Sequence, residues 1–526
     1  MDFALHTIDL VIIAVYFVFM IGVGLAFAGK NENAQDYFLA GRRMVWPLVG
    51  FSLFASQISS TTLVGLAGDA YATGISVYNY EWMSAVLMAF FAVFLLPQYL
   101  KSQVYTMPEY LERRFDGRAR TYFALLTLFL NIVLDTAGSL YAGALIMQLI
   151  WPDLPIWQTI AGLALVAGLY TIVGGLSAVM ITDVIQAVLL IIGSLLIATF
   201  AFAEAGGWEN ITAMVDPERL SLIRPMDDPS MPWLGLVLGV PLLGFYFWCT
   251  NQFMVQRVLG AKDVNHGRWG ALFAGLLKLP VLFLMVLPGT AAIVLYPELE
   301  RPDLVFPVLM FDLLPVGILG LVLAGFLAAL MSQIDSTLNS ASTLVTMDFV
   351  RRYRPNLSGE QLLRVGRYVT VLFMLFAVLW APQIQNFGSL FKYLQKVLAY
   401  GVPPVVCLFL FGTFWARANA QGAFAAIVTG LVSAVVLFAL NEIMTVTNIH
   451  FLLVAPIIFT ICCVPMVFVS LATQAPSPGA IQDYLWTRKK FAEESALLAG
   501  VPWYANYRLQ AGAIVLISAA LVVWLW

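Results

Sequence analysis

Charge is scarce in this sequence. Only 11% of its 526 residues are Asp, Glu, Lys or Arg, where an ordinary soluble domain carries roughly a quarter. Apolar residues make up 61% of the chain, more than a globule in water can hide, because its surface grows too fast with mass. Lipid accepts such a surface, so an ordinary soluble enzyme or binding domain is excluded. The net charge of −3 gives no reason to expect a nucleic-acid partner. Histidine is rarer still: His6, His266 and His450 are scattered and share no metal-ligand spacing. Cysteine supplies no disulfide framework, since Cys249, Cys407, Cys462 and Cys463 all lie in apolar runs as small hydrophobes. With no histidine in a span except His450 at a boundary, an intramembrane enzyme lacks an evident base. No enzyme activity is expected.

Long apolar runs are what the chain has. A membrane span needs about 20 mostly apolar residues, and fourteen segments qualify. They lie near 7–28, 46–71, 78–100, 119–150, 156–174, 178–204, 231–256, 269–297, 315–349, 364–385, 388–413, 421–441, 451–473 and 510–526. The first is too long, and lacks the charged start, for a cleavable signal. Basic residues test this count, because they gather in cytoplasmic loops. If the N-terminus faces out, 21 of the 27 lysines and arginines fall inside, in groups such as Lys30, Arg42, Arg43 and Arg257, Lys262, Arg268. The expectation is a multi-pass plasma (inner) membrane protein with both termini on the outer face.

Two spans carry internal weaknesses. One holds Ala55-Ser56-Gln57-Ile58-Ser59-Ser60-Thr61-Thr62, a polar run in an apolar helix. Five spans later come Val240-Pro241-Leu242-Leu243-Gly244 and then Thr250-Asn251-Gln252. Transporters place ion and solute sites where such discontinuous helices expose backbone groups. Hydroxyls in a membrane helix also back-bond to their own carbonyls or help helices pack, so the runs alone leave both readings open. Matching breaks five helices apart predict two five-helix repeats, 46–204 and 231–413, the second inverted because five is odd. Residues 1–45 hold an extra helix and loop, 205–230 an outer loop, and 414–526 three further helices.

Ordered motifs run through this frame. They include Asp36-Tyr37-Phe38-Leu39-Ala40-Gly41-Arg42, Tyr80-Glu81-Trp82-Met83-Ser84, and Gly174-Gly175-Leu176-Ser177-Ala178 leading to Thr182-Asp183-Val184-Ile185-Gln186. Gln256-Arg257, Ala261-Lys262, Leu277-Lys278-Leu279-Pro280 and Asn339-Ser340-Ala341-Ser342 with Thr346-Met347-Asp348 follow. In these residues the chain resembles the sodium/solute symporter family, nearest its sodium–sugar branch, strongly over 35–413. The resemblance implies an all-α, LeuT-type inverted repeat with one extra helix before it and three after. It also implies sodium-driven import of a small polar solute, a sugar or polyol, with Na+ as coupling ion and no cofactor.

Carried over residue by residue, the resemblance assigns sodium to the carbonyls of Ala55, Ile58 and Ala329 and the hydroxyl of Ser332. Gln333 stands where the family usually has a second hydroxyl. Asp183, with Asp335 and Ser336 one turn beyond Ser332, marks a possible second cation, since ionisable groups within spans are costly and mark ion pathways. The simpler reading of Asp335 is a protonated or paired side chain, and that of Asp135 a helix–helix hydrogen bond. The solute positions map to Gln57, Glu81, Ser84, Lys278 and Gln395, with Phe247 where the family has a gating tyrosine. Glu81 and Lys278 also admit a simpler reading, mutual neutralisation. Gly244, Thr62 and Lys396 depart from the sugar pattern, which keeps a small carboxylate, drawn to Lys278 and Lys396, as an alternative solute. Proton coupling and facilitated transport are the alternative mechanisms.

Overall fold

A computed structural model describes residues 5–27, 34–387 and 389–526. Among the described residues every regular element is helical, and the two bridges, Met44 with Ala261 and Arg224 with Pro232, are isolated. Helices satisfy their own amides and carbonyls where no water reaches. Ten are long and apolar enough to cross a bilayer. Two more spans are bent pairs, Trp46–Gln57 with Ser60–Thr73 at 57° and Leu390–Gly401 with Pro403–Phe414 at 54°. That makes ten to twelve crossings by length and composition, fewer than the fourteen expected; Thr7–Met20 and Ile156–Leu165 are apolar but shorter. Lys30 lies outside the described residues, as do the side chains of the Gly174–Ala178 motif except Leu176.

The first break falls in the hydroxyl run. Trp46–Gln57 ends because Ile58 leaves helical space (φ −79°, ψ 73°), and Ser59 caps the next helix by accepting from the Thr62 amide. Thr62 Oγ1 then donates to the Gln57 carbonyl at 2.6 Å. The hydroxyls thus meet backbone groups that a broken helix leaves unpaired.

The second break differs from expectation. Pro241 sits inside an unbroken Trp233–Phe245 helix. The chain opens instead at Asn251 (φ −61°, ψ 130°), whose side chain caps Gln252–Leu259 by accepting from Phe253 N. A proline removes one hydrogen bond but keeps helical φ, whereas Asn offers the backbone a competing partner. The other bend, at Val402, precedes Pro403-Pro404, whose missing N–H groups interrupt the helical hydrogen-bond ladder.

Three arginines placed in cytoplasmic loops by charge counting are buried. Arg257 is 1% exposed, Arg268 2% and Arg114 3%. Arg114 donates to the carbonyls of Gly412, Trp415 and Ala418 around the end of Pro403–Phe414, a helix end that favours positive charge. Arg268 is forked onto Glu494. Arg257 is part of the site below.

Ile318–Leu344 lies at the centre, buried over almost its whole length, against the Ile156–Glu204 helix. Its N-terminus is capped from another span. The buried Asp9 accepts from the amides of Gly317 at 2.7 Å and Gly320 at 2.8 Å. A carboxylate there meets the positive end of the helix. Gly317 has φ +87°, and a Cβ on Gly320 would stand 2.6 Å from Asp9 Cα. Asp9→Ala is expected to lower stability by about 0.5–2 kcal/mol, the range for a lost cap, and Gly320→Ala to lower it as well. Thermal unfolding in detergent checks both; wild-type midpoints would show that this docking carries no stability.

Candidate functional site

The first break places carbonyls beside a buried polar cluster. Ile58 N still bonds Phe54 O at 2.9 Å, but the helical ladder stops there. Because the Thr62 amide goes to Ser59 Oγ, the Ile58 carbonyl has lost its ladder partner, and the Ala55 carbonyl loses its own at the same break. Ala55, Ile58, Ala329 and Ser332 are each fully buried, at 0% exposure.

Asp183 stands at the centre of this cluster. It accepts from Ser332 Oγ at 2.5 Å and Ser52 Oγ at 2.5 Å, and more loosely from Ser56 Oγ at 3.5 Å. Arg257 Nη2 approaches it at 3.3 Å. The guanidinium also donates to Ser52 Oγ at 2.8 Å, to Ser336 Oγ and to the Phe253 carbonyl. The buried Asp335 lies within electrostatic reach of the same guanidinium. Two carboxyl groups and three serine hydroxyls thus gather around one guanidinium. Oxygen donors of this kind suit a hard cation.

Beside the cluster lies a cavity of about 110 Å³. Roughly 10–15 Å³ suffices for one water, so the space admits a solute of several heavy atoms. Five of the expected solute residues line it: Gln57, Glu81, Ser84, Phe247 and Gln395. Lys278 does not. It is buried behind Glu81, with Nζ 2.8 Å from Glu81 Oε2 and 5.1 Å from the Trp248 ring centroid. Gln57 Nε2 approaches the other Glu81 oxygen at 3.4 Å, and Trp248 Nε1 donates to Ser84 Oγ at 2.6 Å. Lys396 is likewise engaged, bonded to Glu442 at 2.8 Å. Thr62 and Gly244 both reach the cavity, and a side chain at Gly244 would start 2.5 Å from Leu87.

Two residues sit differently from expectation. Gln333, assigned to sodium by resemblance, turns its amide to Asp135 (Nε2 to Oδ1, 3.3 Å), and both line the cavity. Arg257 was read as a loop charge and is the partner of Asp183. Its place in the Gln256-Arg257 motif, next to the Asn251 break, was the available signal.

A helical membrane protein whose broken spans surround a buried ionic cluster and a polar cavity is built as a secondary transporter. The chain belongs to the sodium:solute symporter family, whose model matches residues 37–430. It is 36% identical to the sodium/myo-inositol cotransporter 2 of Oryctolagus cuniculus over 92% of this chain and 79% of the relative. It is 34% identical to the sodium/glucose cotransporter 4 of Danio rerio over 95% and 84%. These relatives place it with the sodium–sugar branch. A solved Na+-coupled sialic acid symporter, substrate-bound and outward-open, aligns with a TM-score of 0.79 at 24% identity, covering 90% of this chain and all of that one. That likeness shows the fold.

Removing one partner of a buried ion pair leaves an uncompensated charge. Lys278→Met is therefore expected to destabilise by about 3–5 kcal/mol, and Glu81→Gln added to it to restore much of the loss. Thermal unfolding of the four proteins in a double-mutant cycle measures the coupling. Simple additivity would show that the pair is not energetically linked.

Proposed function

We propose that this chain imports a neutral sugar or polyol by sodium-coupled alternating access. One observation carries the solute class: both lysines available to draw an anion are ion-paired, Lys278 with Glu81 and Lys396 with Glu442. What remains on the cavity wall is amide, hydroxyl and carboxylate, groups that suit hydroxyls. The names of the relatives, myo-inositol and glucose cotransporters, support the same class. The carboxylate alternative loses the cations on which it rested.

In this reading sodium is held by the carbonyls of Ala55, Ile58 and Ala329 and the hydroxyl of Ser332, with Gln333 given over to the cavity. A second cation balances Asp183 and Asp335 against Arg257, with Ser336 as an oxygen donor. Each cation carried inward gains about 2.3 kcal/mol per 100 mV. It couples to solute only through different affinities for the two states.

The architecture we infer is fourteen spans with a five-plus-five inverted repeat. The ten long helices, the two bent pairs and the shorter Thr7–Met20 support this count, with Ile156–Leu165 and Val179–Glu204 as two spans of the one continuous Ile156–Glu204 helix. The breaks at Ile58 and Asn251 fall in the spans that open the two repeats. Both termini face out in this scheme, with residues 414–526 as three added helices in a plasma membrane.

Uptake of labelled myo-inositol and glucose into proteoliposomes, with sodium against choline and over a pH series, tests the function. Sodium-dependent accumulation that rises with an inside-negative potential is expected. Sodium-independent uptake would overturn symport, and uptake driven by a proton gradient alone would favour proton coupling. Ser332→Ala is expected to raise the half-saturating sodium about tenfold, the size of one lost ligand to a charge. An unchanged sodium response would remove Ser332 from the site.

A further inference from the structure

We propose that the arginine-rich turn at 351–367 binds an anionic phospholipid of the surrounding membrane, its phosphate held by guanidiniums and an acyl chain laid along Gly359–Trp380. The inference goes beyond the transport reading and does not depend on it.

Residues 351–367 hold five arginines, Arg351, Arg352, Arg354, Arg364 and Arg367, against one acid, Glu360. All five arginines are exposed. Among the described residues only Arg352 has a carboxylate partner, Glu112 at 3.2 Å, and Arg351 lies 5.7 Å from the Tyr105 ring centroid. The preceding basic loop is different: Arg113 is paired with Glu109, Arg118 with Asp116 and Arg120 with Asp348. The preference of basic residues for one side of the membrane explains which side they take. It does not explain why Arg354, Arg364 and Arg367 stand together without carboxylates, since like charges repel. Val345–Val350 packs against Gly359–Trp380, so the arginines before and after the turn share one end of this helix pair.

The helix beyond the patch suits the rest of a lipid. Arg364, Tyr368, Leu372, Leu375 and Leu379 follow at spacings of four, four, three and four, which puts them on one helix face. Tyr368 is 75% exposed and Leu379 71%, whereas Leu362, Gly366 and Ala377 on the opposite face are buried. Along the exposed stripe a cation gives way to a tyrosine and then to leucines. Tyrosine favours the headgroup level and leucine the acyl chains. Guanidiniums hold phosphate through paired N–H donors. A zwitterionic lipid would bring its own cation to the patch, so charge complementarity selects an anionic one.

Binding here reaches the central helix through the backbone. Arg351 follows directly on Val345–Val350, the continuation of Ile318–Leu344. Gly366 approaches the same helix so closely that a Cβ would stand 2.6 Å from Ser342 Oγ. A phosphate bridging arginines from both sides of the turn offsets their repulsion and ties the ends of the two helices together.

The test titrates the delipidated full chain in detergent with dioleoylphosphatidylglycerol, with dioleoylphosphatidylcholine and glycerol 3-phosphate as controls. Native mass spectrometry counts bound lipid, and thermal unfolding reads the tie between the helices. The wild type is expected to bind phosphatidylglycerol at least tenfold more tightly than phosphatidylcholine and to unfold at a higher temperature with it. An arginine near an anionic headgroup contributes about fivefold. Arg354→Gln, Arg364→Gln and Arg367→Gln combined should therefore abolish the preference, while lysine at the same three positions keeps most of it. Arg488→Gln with Lys489→Gln, a loss of charge elsewhere on the surface, should leave it unchanged. Equal binding of the two lipids, an equal loss in the Arg488 and Lys489 variant, or the same protection by glycerol 3-phosphate would each overturn the inference. A doubled mass without lipid, lost in the triple glutamine variant, would assign the face to a second copy and overturn it as well. None of these readouts involves uptake, so the transport reading and this one fail separately.

Discussion

The Asp183–Arg257 ion pair is the contact on which the rest of the arrangement depends. Charges within a membrane are tolerated only when paired or given other polar partners, and this pair with its serine partners joins four segments. Ser52 and Ser56 come from Trp46–Gln57, Asp183 from Ile156–Glu204, Arg257 from Gln252–Leu259, and Ser332 and Ser336 from Ile318–Leu344. Each serine that bonds the pair fixes the helix carrying it. The cluster therefore determines how Trp46–Gln57 and Gln252–Leu259 sit against the central helix.

Breaking a helix in lipid leaves amides and carbonyls without partners, at several kcal/mol for each unsatisfied group. The protein meets part of this with its own side chains. Ser59 and Thr62 serve the first break, Asn251 the second. The carbonyls of Ala55 and Ile58 are left to an outside partner, and a hard cation beside the Asp183 and Ser332 oxygens suits them. In the proposed cycle the coupling ion thus completes a local structure that the chain alone leaves unfinished. This gives sodium a differential affinity for the conformations that do and do not assemble those oxygens.

The spans were legible because apolar length is a one-dimensional property, and the first break because consecutive hydroxyls have little reason to crowd an apolar helix. The second break was legible only to its neighbourhood. Pro241 is the stronger breaker by propensity, yet the chain tolerates it within a helix and opens at Asn251, where a side-chain cap is available. The Val402 bend had a signal in Pro403-Pro404 that apolar counting passes over. Charge counting could not foresee the burial of Arg114, Arg257 and Arg268, since loop position says nothing of a guanidinium reaching back to carbonyls or carboxylates. Motif resemblance brought Gln57, Glu81, Ser84, Phe247 and Gln395 to one cavity. The engagement of Lys278 with Glu81 and the turn of Gln333 toward Asp135 depend on side-chain direction in three dimensions, which spacing does not carry.

Ser332 and Gln333 show how close the two halves of the function lie. Successive residues on a helix point about 100° apart. Here that angle sends Ser332 to Asp183 in the ionic cluster and Gln333 to Asp135 on the cavity wall. The peptide between them is rigid, and the helix that carries it is buried almost throughout. An ion that orders the Ser332 side therefore limits the positions open to Gln333, and a solute held by Gln333 limits Ser332 in turn. Thermodynamic linkage requires that influence to be equal in both directions. In the proposed cycle coupling on this helix needs no long pathway, because the proposed ion and solute positions share one peptide bond.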